Sequence, residues 1–138
     1  MTRNVSLCVF CILINLLIGN VAHFIMSPDT PVIYNILISI AAIIIYSFVF
    51  YKMNEQNQKL SKRKLALIAV ISCLAVMLFA CIFTSIGNRL AFDNILTAAL
   101  KGIIPLFVFA IVFAAPIWIP IAICNFICLS FMKFENRN

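Results

Sequence analysis

Acidic and imidazole side chains are nearly missing from this chain of 138 residues, which holds four Asp or Glu and one His. The acids are Asp29, Glu55, Asp93 and Glu135, and none lies within a long apolar run. No paired carboxylates, Ser/His/Asp set, Cys/His pair or His-rich ligand cluster is present, and the three glycines make no phosphate-binding loop. We therefore expect no enzyme, no catalytic, metal or cofactor-binding residue, and no cofactor. A carboxylate inside the membrane is also what a proton-coupled exporter needs, and its absence weighs against that activity.

Polar surface is the second shortage. With 65% hydrophobic residues against ten basic and four acidic ones, a water-soluble fold of this size has too little to face water with. Four apolar stretches dominate instead, over residues 5–26, 32–51, 65–86 and 103–132. Each matches or exceeds the ~20 residues that carry a helix across a ~30 Å hydrocarbon core. The first is too long for the apolar part of a signal peptide and no Ala-x-Ala pattern follows it, so it reads as an uncleaved crossing. The expected architecture is all-α: one antiparallel bundle of four membrane helices over residues 1–138, without a separate soluble domain.

Loop cysteines are the third. Cys8, Cys11, Cys73, Cys81, Cys124 and Cys128 all fall inside apolar stretches, so they read as free thiols that pack as small apolar groups rather than as a disulfide framework. The spacings Cys8-x-x-Cys11 and Cys124-x-x-x-Cys128 would suit a thiolate metal site only if two helices converged, and apolar surroundings disfavour the thiolate.

The basic residues are placed with strong bias. Arg3 lies in the N-terminal tail; Lys52, Lys59, Lys62, Arg63 and Lys64 lie in or beside the segment 52–64; Lys133 and Arg137 lie in the C-terminal tail. Only Arg89 and Lys101 occupy the other connections. The positive-inside rule then sets both termini and the 52–64 loop in the cytoplasm. The same placement explains the net charge of +6 through anionic lipid headgroups, and we expect no nucleic-acid partner.

On the outer side, Pro28 disfavours continuation of the first helix, Thr30 suits an N-cap and Pro31 the first helical position, predicting a tight hairpin. Across residues 88–101, Arg89, Asp93, Thr97 and Lys101 recur every four residues opposite Phe92, Ile95, Leu96 and Ala99. That spacing predicts a short amphipathic helix with Asn88 as a candidate cap, either lying at the interface or forming the first turns of the fourth span. Arg89, Asp93 and Lys101 are its candidate outer-face residues. Gly102 and Pro105 suggest a bend before the fourth span. That span is long: roughly thirty residues rise about 45 Å at 1.5 Å each. Pro116 and Pro120, one turn apart, predict a kink near residues 115–120.

Within hydrocarbon, small and weakly polar side chains mark helix contacts. Such stripes comprise Cys8, Cys11, Asn15, Gly19 and Ala22; Asn35, Ser39, Ala42 and Tyr46; Ala66, Ala69, Cys73, Ala80, Thr84 and Gly87; and Ala110, Ala114, Cys124 and Cys128. Asn15, Asn20, Asn35 and Asn125 are the costliest, because an amide in hydrocarbon needs partners. Asn15, Asn35, Asn125, Trp118, Pro116 and Pro120 are the helix-contact or partner candidates. Trp118 falls at mid-membrane, with its indole N–H seeking a carbonyl near the kink. His23 is expected at the outer interface, bonded to headgroups or backbone.

These features lead us to expect a small multi-pass protein of the bacterial inner membrane that works by binding another membrane protein inside the bilayer. Immunity, exclusion and accessory proteins work in this way. The topology is similar to that of colicin-type immunity proteins, in architecture alone and through no motif. The alternative is a subunit of a small oligomeric transporter or channel, in which a proline-broken helix marks the binding site.

Overall fold

A computed structural model describes residues 3–26, 28–29, 31–55, 60–89 and 94–132. All regular structure among them is helical: α1 (Arg3–Met26), α2 (Val32–Glu55), α3 (Lys62–Arg89), α4 (Ile95–Phe113) and α5 (Ala115–Phe131). Helices α1 to α4 are long and apolar enough to cross a membrane, while α5 is shorter. Helix is the form such apolar runs must take in lipid, where each backbone N–H and C=O needs a partner within its own segment. The protein is an integral membrane protein.

The helix starts follow local chemistry. Ser61 opens α3, its hydroxyl oxygen 3.4 Å from the Lys64 N–H and its carbonyl accepting from Leu65 at 3.1 Å. Pro31 sits just ahead of α2, one position before the helical place expected for it, and its carbonyl accepts from Tyr34 at 2.9 Å. The expected cap Thr30 lies outside the described residues.

The outer connection differs from the sequence reading. Asn88 does not cap a helix; it and Arg89 complete α3. The cap is Asn94, whose side-chain oxygen accepts from the Thr97 N–H at 2.8 Å, an arrangement worth about 1 kcal/mol. Residues 90–93, Asp93 among them, lie outside the described residues. The four-residue spacing of Arg89, Asp93, Thr97 and Lys101 is therefore not one helix face, since its first member ends α3 and its last two belong to α4. The separate interfacial helix over 88–101 gives way to the start of α4, which runs through Gly102 and Pro105 without a boundary.

The long span over 103–132, expected to kink or open near 115–120, is divided into two helices just before that stretch. The chain leaves helical geometry at Ala114 (φ −89°, ψ 8°), which closes α4 and opens α5. Pro116 has no N–H to offer the Val112 carbonyl, and it falls in the first turn of α5, where that lack costs nothing. A new helix start is thus cheaper than an interior defect.

Helices α1, α2, α3 and α5 close a ring, each packed on its two neighbours. Its core joins Cys11, Phe50, Met53, Leu65, Ala69, Cys128, Leu129 and Met132. Helix α4 packs along α3 and meets α5 near their junction, and neither α1 nor α2 packs along it. Contact between α3 and α4 is close because Gly102 has no side chain: a Cβ there would run into the Ser85 side chain, whose hydroxyl donates to the Ala98 carbonyl. Large apolar residues such as Leu17, Phe24, Ile44, Ile71 and Ile104 lie exposed on the outer faces, where lipid receives them without penalty.

Candidate functional site

A seam of hydrogen-bonded polar side chains runs up α1 and ties it in turn to α5, α2 and α3. Its lowest member is Asn125 on α5, only 2% exposed. The Asn125 Oδ1 accepts from the Asn15 Nδ2 at 2.7 Å and from the Cys11 thiol at 2.9 Å. Its own Nδ2 donates to the Tyr46 hydroxyl at 3.3 Å and to the Asn15 Oδ1 at 3.4 Å. Asn15 also donates to the Cys11 carbonyl one turn below, at 2.7 Å. A lone amide in hydrocarbon costs roughly 4–8 kcal/mol, whereas a formed interhelical bond contributes only about 0.6 kcal/mol net. The pair therefore acts by making other packings expensive, which fixes how α5 sits against α1.

Higher on α1, Asn20 donates to the Ser39 hydroxyl of α2 at 2.9 Å, and that hydroxyl lies 3.2 Å from the Asn20 Oδ1 and 2.8 Å from the Asn35 carbonyl. Above it, the His23 Nε2 lies 2.8 Å from the Thr84 hydroxyl of α3. This corrects the expectation that His23 bonds to headgroups or backbone: its side chain finds the Thr84 hydroxyl of α3 instead.

Between α1 and α4 lies a cavity of about 240 Å³. Its closed end is formed by Tyr46, Cys73 and Trp118, and it extends to Met26 and Thr84. The Cys73 thiol approaches the Trp118 carbonyl at 3.6 Å. The Trp118 indole N–H donates to the Ile111 carbonyl at 3.0 Å, an acceptor freed where α4 ends and the kind of partner the sequence led us to look for. The cavity exists because α4 leaves the ring at Ala114, so that nothing spans the gap to α1.

The sequence-derived residues divide accordingly. Asn15, Asn125 and Trp118 come together around the cavity and the knot beneath it. Asn35 does not join them: its Oδ1 is buried without a hydrogen-bond partner. Pro116 and Pro120 are exposed on α5, and Arg89 and Lys101 are exposed near the far ends of α3 and α4, away from the cavity. Gly19, Ala80 and Ala110, members of the stripes expected at helix contacts, line the cavity. A Cβ added at Gly19 would meet no atom within 4 Å. Small size here leaves room rather than drawing helices together. Sequence reasoning also underrated Cys11 and Tyr46, although both sat in the small-residue stripes.

Chemically the site is quiet. The six cysteines are free, and the Cys11 thiol is engaged as a donor to Asn125. Among the described residues no group of three or more His, Cys, Asp or Glu is arranged to hold a metal. The arrangement is suited to holding something apolar. Compared with known protein families, curated proteins and solved structures, the chain matches none.

Proposed function

We propose that this is a small non-enzymatic protein of the bacterial inner membrane that acts by binding another membrane protein within the bilayer, as immunity, exclusion and accessory proteins do. The observation that carries this reading is the isolation of α4, which packs along α3 but along neither α1 nor α2. It presents Leu96, Leu100, Ile104, Val108 and Val112, one turn apart and all exposed, as an uninterrupted aliphatic row. A helix free on so much of its circumference can take a partner helix by the packing that joins helices in lipid.

The order of the contacts supports an antiparallel bundle. Asn20, late in α1, pairs with Ser39, early in α2; along α3, Ser85 pairs with Ala98 and the earlier Cys73 with the later Trp118, so one chain runs up as the other runs down. In this reading α4 and α5 together make the fourth crossing. Eight of the ten basic residues then fall on one side with both termini, which the positive-inside rule assigns to the cytoplasm. Richness in Ile and Asn supports a bacterial source.

A second reading, the subunit of a small oligomeric transporter or channel, draws support from the helix break at Ala114 beside a cavity. It is the weaker one, because the polar groups on the cavity wall are bonded to one another rather than offered to a solute. Purification from native membranes in mild detergent separates the two. A stoichiometric second membrane protein is the result expected; a homo-oligomer that conducts solute in liposomes would transfer the assignment to the transporter.

A further inference from the structure

We propose that the cavity between α1 and α4 holds one acyl chain of a bilayer phospholipid, admitted through the flank where those two helices do not pack together. Four observations lead there. First, the depth fits one leaflet: the α3 wall runs from Cys73 to Thr84, about 16 Å at 1.5 Å per residue, which is half of a ~30 Å hydrocarbon core. Second, the cavity offers little to water. Asn20 is bonded to Ser39, His23 to Thr84 and Asn15 to Asn125, while the unpartnered His23 Nδ1 is sealed from solvent. A buried water needs roughly two to four polar partners, and of the side-chain groups named here only the enclosed His23 Nδ1 is unbonded.

Third, the space is too large to stay empty. An apolar cavity of about 150 Å³ stays dry yet takes up benzene; this one, at about 240 Å³, is larger by more than half. Fourth, what adjoins the opening is lipid hydrocarbon, and the walls match it: Leu16, Val76 and Phe109 supply apolar surface, and Gly19, Ala80 and Ala110 keep the channel wide. An acyl chain lying there fills the volume that α4 vacates when it leaves the ring. It also braces α4 in its splayed position, at the price of no hydrogen bond.

Trp118, the only tryptophan of the chain and part of the cavity floor, reports on the occupant. The full chain is reconstituted into phosphatidylcholine vesicles whose lipid carries bromine near the end of one acyl chain, and bromine quenching of Trp118 is measured. Two filled variants, Gly19→Phe and Ala80→Phe, are compared with the wild type, with helix content checked by circular dichroism so that either can decide if the other misfolds. Quenching about twofold weaker in a folded filled variant is the expected result, because the ring occupies the space the chain requires. Equal quenching in wild type and folded variants would overturn the proposal. Brominated free fatty acid is then added at low mole fraction to wild-type protein in unbrominated vesicles. Weak quenching in proportion to its share of the lipid supports a phospholipid chain; quenching that saturates at low mole fraction would overturn the phospholipid as the source.

Discussion

Asn15 of α1 and Asn125 of α5, 110 residues apart in sequence, bond to each other at 2.7 Å in one direction and 3.4 Å in the other. Their exposures of 6% and 2% leave neither an alternative partner in lipid or water. Replacing Asn125 by Leu removes the acceptor of both Asn15 and Cys11 and leaves the Asn15 amide without its partner across the bundle. We expect Asn125→Leu to destabilise the bundle by about 1–3 kcal/mol, read as a shift in unfolding by a denaturing detergent followed by circular dichroism. Asn35→Leu, which removes an unpartnered Oδ1, should have a much smaller effect, as should Lys59→Gln.

Gly102 and Gly19 make a matched pair of tests. Alanine at 102 drives a methyl group into Ser85 and separates α3 from α4, whereas alanine at 19 enters open space. Overpacking of this kind costs about 1–3 kcal/mol. Gly102→Ala should therefore lower unfolding resistance clearly, while Gly19→Ala leaves it unchanged. Equal effects would contradict the close contact at α3 and α4.

Trp118 ties the start of α5 to the end of α4 through the Ile111 carbonyl. Phenylalanine keeps most of the ring volume and removes the donor. Trp118→Phe should cost up to about 1.7 kcal/mol, the upper range for such bonds in membranes. Restoration by a second tryptophan placed elsewhere in the chain is not expected.

The apolar spans were legible in the sequence because twenty consecutive hydrophobic residues have few other uses. Asn15 and Asn125 were legible for a related reason: an amide in hydrocarbon is conspicuous and must be answered. Asn35 looks the same in sequence and its Oδ1 is buried too, yet no hydrogen-bond partner meets it, since where the facing polar groups fall depends on packing that composition does not encode. The residues at 88–101 show how periodicity misleads. Four-residue spacing continues through a turn as easily as through a helix, so Arg89 and Lys101 appear to share a face although they belong to different helices. Gly19, Ala80 and Ala110 show the limit of the small-residue rule. A missing side chain lets helices approach at Gly102 and leaves a cavity at Gly19, and only the position of the neighbouring helix tells the two apart.

The most direct test of the threading that underlies this account is labelling of single cysteines introduced at the two ends of α3 with a membrane-impermeant maleimide. The native cysteines lie within the apolar helices and provide the background. The account predicts that Lys62→Cys reacts only after the cells are permeabilised and that Arg89→Cys reacts in intact cells. Labelling of Lys62→Cys in intact cells, with Arg89→Cys protected, would contradict it.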